Sequence, residues 1–115
     1  MKVQWQGQSL RLRIDEAELQ RLRDGGEVEN RSRLPLGDDC VQRLRLDGAG
    51  SAAMTGTVND WCLVLPQAEV EDYVGRLPCK DGLGYDLAVA GGGALRIDVE
   101  VDVRDSARVR GKARR

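Results

Sequence analysis

The alternation of apolar and polar positions changes character within residues 61–74, and this change predicts how the chain is built. Residues 61–65 are apolar on both strand faces, which is typical of a strand that lies inside a sheet and is covered on both sides. Pro66 follows at a position that the first turn of a helix tolerates. The segment therefore predicts a strand that passes directly into a short helix.

A similar strand-helix corner lies 51 residues upstream, in residues 10–22. Asp15 and Glu18 have the spacing of a helix capping box, and Gly25 with Gly26 supplies a stop signal. Two interpretations remain open: the chain contains a duplicated unit, or both segments show the common pattern of a strand-helix corner. The positions that match at this offset are Ile14 with Leu65, Ala17 with Ala68, Glu18 with Glu69, Leu19 with Val70, and Leu22 with Tyr73.

The remaining apolar positions mostly alternate with polar ones, which predicts short strands. Each half then reads strand, strand, helix, strand, strand, and the short connections favour antiparallel neighbours. We therefore expect an α+β fold with a mostly antiparallel, strongly curved or barrel-like sheet of about eight strands and two short helices. The predicted strands outside the first corner and residues 61–65 lie near residues 3–5, 27–34, 40–47, 51–58, 83–89 and 94–103.

The amino-acid composition excludes several kinds of catalytic and metal sites. The chain of 115 residues contains no histidine, which excludes Ser–His and Cys–His nucleophile pairs and histidine-metal sites. Its three cysteines are widely spaced and predict free thiols in a reducing compartment, and with no apolar leader we expect a cytoplasmic location without membrane contact. Residues 1–103 are expected to form one domain, followed by a basic, flexible tail at 104–115 with a net charge of +5.

Several short motifs resemble those of a small bacterial protein family of unknown function. The residues that carry the resemblance are 9–14, the capped first helix, 25–29, the Leu65-Pro66 corner and the closing strand 95–102. The resemblance covers residues 1–103 and implies no activity. This chain departs from the family where it ends, with Val101-Asp102-Val103 in place of a Lys-Asp-Phe-like ending and a basic tail in place of an acidic one.

Charged residues recur at every second position of several predicted strands. A solvated sheet face with cross-strand ion pairs is the first interpretation of this pattern. The alternative is an inward-facing set, in which arginine forks hold phosphate and carboxylates hold Mg²⁺. The candidate phosphate-binding residues are Arg11, Arg13, Arg31, Arg33, Arg43 and Arg45, and the candidate metal ligands are Asp98, Glu100 and Asp102.

The inward-facing alternative resembles the triphosphate tunnel enzymes, whose closed barrels bind polyphosphate and a divalent metal. Their Glu-x-Glu-x-Lys signature lies on a strand near the N-terminus, and here the first strand has no glutamate. The nearest match, Glu27-Val28-Glu29-Asn30-Arg31, follows the first helix and ends in arginine. Magnesium is the cofactor only under this alternative, and otherwise we expect none.

Other candidate features have a structural and a functional interpretation. Trp5 and Trp61 fit core packing, or they stack a ligand. Cys79 beside Lys80 is a surface cysteine or a reactive thiol. The basic tail favours solubility, or it contacts nucleic acid through phosphates. Since no nucleophile motif or metal spacing is present, we expect a non-catalytic binding or assembly module for a protein partner or small ligand.

Overall fold

The computed structural model describes residues 1–48, 50–78 and 81–103, and these form an α+β fold of eight strands and two helices. Every strand and helix predicted from the sequence is present, with small shifts at its ends. The strands are β1 (Lys2–Gln6), β2 (Ser9–Asp15), β3 (Glu27–Arg33), β4 (Asp39–Asp47), β5 (Ala53–Thr57), β6 (Asp60–Pro66), β7 (Leu83–Ala88) and β8 (Ala94–Asp102); the helices are α1 (Glu16–Arg23) and α2 (Gln67–Gly75).

The eight strands divide into two four-stranded mixed sheets. Sheet A has the order β1-β2-β8-β7 and sheet B the order β3-β4-β6-β5. The central pair of each sheet is parallel and the outer pairs are antiparallel. We expected a single curved or barrel-like sheet, but neither four-stranded sheet closes on itself. The difference arises because each helix carries the chain from one sheet to the other instead of returning it to the same sheet.

The two halves of the chain have the same strand order and register. Val3 pairs with Leu12 in β1–β2, and Met54 pairs with Leu63 in β5–β6, 51 residues later at both positions. The parallel pairs match as well, since Leu12 lies opposite Val99 and Leu63 lies opposite Leu44. Exchanging the halves converts the strand order of one sheet into that of the other. The strand–strand–helix–strand–strand plan therefore occurs twice.

One hydrophobic core lies between the sheets and under the helices. Strand alternation explains its composition, because residues two apart point to the same face. The central strands supply most of the core, and each helix adds one stripe of two buried residues. The buried residues of this cluster are Leu10, Leu12, Ile14, Leu19, Leu22, Val28, Leu44, Trp61, Leu63, Leu65, Val70, Tyr73, Ile97, Val99 and Val101.

The two helices begin in different ways. Asp15 caps α1, with its carboxylate accepting from the Glu18 backbone N–H at 2.7 Å while the Glu18 carboxylate accepts from the Asp15 N–H at 3.1 Å. The predicted capping box is confirmed. Pro66 occupies the matching position before α2 and makes no side-chain capping bond. Pro66 lies one residue before the first turn, at the N-cap.

Neither described helix combines the length and hydropathy that a membrane span requires. Two of the sequence predictions fall on residues outside the described part of the chain. These are the reactivity of Cys79 and the behaviour of the basic segment 104–115.

Candidate functional site

The charged residues of sheet A lie on its outer face, opposite the core. Arg11 and Arg13 on β2 both approach Glu100 on the neighbouring β8, at 3.6 and 3.1 Å. The two guanidinium side chains remain 55% and 40% exposed. The Asp98 carboxylate forms an ion pair with the Arg96 guanidinium on its own strand, with an N–O distance of 3.1 Å. This face is a solvated network of cross-strand ion pairs, and such pairs contribute little individually.

The charged residues of sheet B form a second network on a different surface. Arg43 on β4 contacts Asp60 at 2.9 Å, Glu29 at 3.4 Å and Glu27 at 3.5 Å. Its hydrogen bond to Asp60 lowers the pKa of that carboxyl below its ordinary value. Arg31 pairs with Asp39 at 2.9 Å.

The remaining predicted residues follow the same pattern. Arg33 and Arg45 are exposed, and Asp102 is partly exposed near the end of β8. Cys62, half-buried beside Arg45, has its thiol pKa raised, mainly by burial. The structure thus brings Arg11 and Arg13 together with Glu100, but it places the other four arginines on a separate sheet. Within the described residues, no group of three Cys, Asp or Glu side chains is arranged to hold a metal ion.

A different kind of site lies where one end of sheet A meets β5. This apolar cleft has a volume of about 550 Å³, within the roughly 300–1,000 Å³ typical of ligand pockets. β5 and its hairpin turn form one wall, and the turn between β7 and β8 forms another. The residues that line the apolar cleft are Trp5, 54–58, Trp61, Leu87, Ala88, Val89 and Leu95.

The two tryptophans of the chain meet in the apolar cleft. Their ring centroids are 6.0 Å apart and the rings are nearly perpendicular, at 82°, a favourable edge-to-face arrangement. Trp61 belongs to the core and is 6% exposed, whereas Trp5, on the edge strand β1, is 53% exposed. Of the two interpretations made from the sequence, core packing therefore holds for Trp61, and Trp5 leaves about half of its surface open to a ligand.

Gly56 forms part of the β5 wall, and no other residue fits there. Its φ is +106°, and a Cβ at this position would lie 2.4 Å from the Asp60 carbonyl oxygen and 3.0 Å from the Trp61 Cα. Both the backbone conformation and the close approach of β6 require glycine. At this point the wall of the apolar cleft is peptide backbone without a side chain.

The residues that line the apolar cleft carry no charged side chain. Thr55 and Thr57 are the polar residues beside it, and no Asp, Glu, Lys, Arg or Cys residue belongs to the lining. Val58, in the hairpin turn, is 87% exposed, and Val89 on the opposite wall is 40% exposed. Such a surface favours an uncharged, apolar ligand group, since an ionised group would lose hydration without gaining a partner.

Sequence reasoning identified the two tryptophans of the apolar cleft and missed its other walls. The sequence could have indicated that Val58 is exposed, because a branched apolar residue beside Asn59 in a turn has no reason to be buried. Leu87 and Leu95 gave no such signal. Their alternation predicts core positions, and only the packing of the two sheets leaves them at an open end.

Fold and site together define a small α+β domain of two mixed sheets with an open apolar cleft between them. The chain matches no protein-family model, and no curated protein or solved structure is significantly similar to it.

Proposed function

We propose that this protein is a non-catalytic binding module and that the apolar cleft is its contact site. The observation that carries the proposal is the convergence of both tryptophans on an open cleft without charged side chains, in a chain with 32% charged residues. Exposed apolar surface is unfavourable in water unless a partner covers it. Trp5 and Val58, the most exposed large apolar residues of the cleft, are therefore its expected contact points.

The absence of histidine from the sequence supports the non-catalytic part of the proposal. General acid–base catalysis needs a group that changes protonation near neutral pH, and no side chain lining the apolar cleft does so. Robust turnover of a phosphate ester, peptide or glycoside by the purified protein, lost on a single substitution, would contradict this part.

The binding part is tested with an uncharged aromatic probe, N-phenylnaphthylamine, whose fluorescence rises in an apolar site. We expect saturable binding to the wild-type protein, with energy transfer from the tryptophans because both rings line the apolar cleft. Val58→Asp should weaken binding at least about tenfold, because it places a carboxylate at the mouth of the cleft.

Leu36 provides a matched control for Val58. It is 85% exposed, in the turn between β3 and β4, and it does not line the apolar cleft. Leu36→Asp therefore makes the same chemical change at a comparable exposure and should leave probe binding unaltered. Absence of saturable binding, or equal loss in both variants, would overturn the assignment of the cleft as the contact site.

Phosphate or polyphosphate binding is the second function predicted from the sequence. It needs guanidinium groups that are free to receive phosphate, and Arg11, Arg13 and Arg43 already face carboxylates. Thermal stabilisation by tripolyphosphate with Mg²⁺, abolished by Glu100→Ala, would support this function over binding in the apolar cleft. Nucleic-acid contact through residues 104–115 stays a prediction, because that segment lies outside the described residues.

A further inference from the structure

The edge of sheet B next to the apolar cleft has features that specify a partner, if the proposed binding function holds. In the described part of the chain β5 pairs only with β6 and ends the order of sheet B. In an antiparallel pair, every second residue directs its N–H and C=O away from the partner strand. β5 therefore presents backbone hydrogen-bonding groups along its outer side, and four of its five residues are exposed.

β5 differs from the other edge strands in its lack of charge. β1 carries Lys2, β7 carries Asp86, and β3 carries four charged residues, whereas β5 reads Ala-Met-Thr-Gly-Thr. Charged side chains on edge strands discourage pairing with another chain. Of the four edges, β5 is thus the one without charged side chains, and it contributes more residues to the lining of the apolar cleft than the edge strands β1 and β7 do.

Strand geometry connects the free edge with the apolar cleft. An added strand would lie about 4.8 Å from β5, with alternate side chains directed to the same face as Met54 and the cleft. One such side chain can then reach between Val58 and the β7–β8 turn. Peptide recognition by strand addition combines these two elements, backbone pairing for affinity and a pocket for specificity.

We propose that β5 accepts an extended, uncharged peptide segment of a partner protein as a fifth strand of sheet B, with one aromatic side chain in the apolar cleft. The perpendicular rings of Trp5 and Trp61 offer a face and an edge to such a side chain. A second copy of this chain fits less well, because β5 carries no aromatic residue to place in its partner's cleft.

The test uses a blocked peptide, acetyl-Thr-Val-Phe-Val-Thr-amide, which has no charge and does not absorb where tryptophan is excited. Titration should change the tryptophan fluorescence of the protein with a dissociation constant in the micromolar range. A peptide of the same sequence with alternate amides N-methylated keeps the side chains and loses half of the strand pairing. It should bind at least about tenfold more weakly.

Amide hydrogen exchange locates the bound strand. We expect the outward-facing amides of β5 to gain at least about tenfold protection in the presence of the peptide, because they acquire acceptors. The amides of β1, the matching edge strand of the other half, should be unaffected. Equal affinity for the methylated peptide, protection elsewhere than β5, or peptide-independent dimerisation through β5 in sedimentation would overturn the proposal.

The outcome separates this inference from the proposed function. Binding of N-phenylnaphthylamine and of N-acetylphenylalanine amide without binding of the blocked peptide would keep the apolar cleft as a contact site and reject strand addition. Failure of both the probe and the peptide would reject the two proposals together. The Val58→Asp and Leu36→Asp pair applies here as well, and only the first should lose the peptide.

Discussion

The two strand-helix corners have the same backbone plan, but different side-chain contacts stabilise the start of each helix. Glu18 in α1 and Glu69 in α2 occupy matching positions. Glu18 closes the capping box with Asp15 and also pairs with the Met1 ammonium group at 2.6 Å, whereas Glu69 accepts a hydrogen bond from the Tyr85 hydroxyl at 3.2 Å. The first corner therefore has a hydrogen-bonded helix start within its own turn, in addition to that ion pair. The second has Pro66 in place of the capping residue and depends on a contact with sheet A.

The buried sides of the helices differ in the same way. Leu22 in α1 and Tyr73 in α2 match in sequence and are 2% and 1% exposed. Leu22 contributes only apolar area, but the Tyr73 hydroxyl also accepts the backbone N–H of Val101 on β8 at 3.1 Å. The repeated backbone plan thus does not determine the buried contacts of each helix, since these contacts depend on which strand the helix packs against.

The largest changes in the free energy of unfolding are expected when a buried apolar side chain of either helix is truncated. Leu19 and Val70 are matching residues and are 7% and 3% exposed. Leu19→Ala should lower the free energy of unfolding by about 2–5 kcal/mol and Val70→Ala by about 1–3 kcal/mol, because the smaller side chain loses fewer methyl groups. Urea denaturation measures both. A neutral Leu19→Ala beside a strongly destabilising Val70→Ala would show that only the second corner supports the fold.

The next largest change in the free energy of unfolding is expected when the buried hydroxyl of Tyr73 is removed. Tyr73→Phe keeps the ring and leaves the Val101 N–H without this acceptor, which should cost about 1–3 kcal/mol of unfolding free energy. Leu22→Met is the matched change in α1, close in volume and without a hydroxyl to lose, and we expect it to cost less than about 1.5 kcal/mol. Equal costs for the two variants would mean that the hydrogen bond to β8 does not anchor α2.

Substitutions at the N-cap residues of the two helices should change the free energy of unfolding by a smaller amount. Asp15→Ala removes the capping carboxylate and should cost about 1 kcal/mol. Pro66→Ala should cost less, because proline makes no capping hydrogen bond; its contributions are a buried ring and a restricted unfolded chain. Both are measured by thermal and urea unfolding. A larger loss for Pro66→Ala would reverse the assignment of the first corner as the locally stabilised one.

The last expected effect is absent at neutral pH, and it is a dependence of stability on pH in the second corner above pH 10. Burial, with the nearby Glu69 carboxylate, raises the pKa of Tyr85 from its ordinary value of 10.0 to about 12. The folded state thus holds this proton more tightly than the unfolded state. Its contribution to stability is complete below pH 10 and is lost as the pH rises toward 12. Tyr85→Phe should make unfolding stability less dependent on pH in this window.

Glu69→Gln is the companion variant for that measurement. It removes the negative charge and keeps a group that accepts from the hydroxyl, so the pH dependence should shrink without disappearing, since burial is the larger cause. The matching change in α1, Glu18→Gln, should leave the dependence between pH 10 and 12 unaltered. An equal response to the two variants would mean that Tyr85 does not report on the second corner.

Local patterns in the sequence determine the elements and the core of this protein. The alternation in β2 and β8, the capping pair Asp15 and Glu18, and the glycines after α1 act over a few residues, so they predict strands and a helix correctly. The offset between the corners predicts the repeated plan for the same reason. These features depend on backbone periodicity and on hydrogen bonds between near neighbours in sequence.

Only the tertiary structure decides which strands become neighbours and which faces stay open. Short connections favour antiparallel pairing, yet β2 lies parallel to β8 and β4 parallel to β6, because each helix crosses between the sheets. That division, which no local pattern encodes, separates Arg11 and Arg13 from Arg43 by placing them on different sheets. It also places Trp5 beside Trp61 and leaves the apolar cleft open next to β5. Contacts between residues far apart in sequence are set by the packing of the whole chain, and therefore the site depends on the assembled sheets.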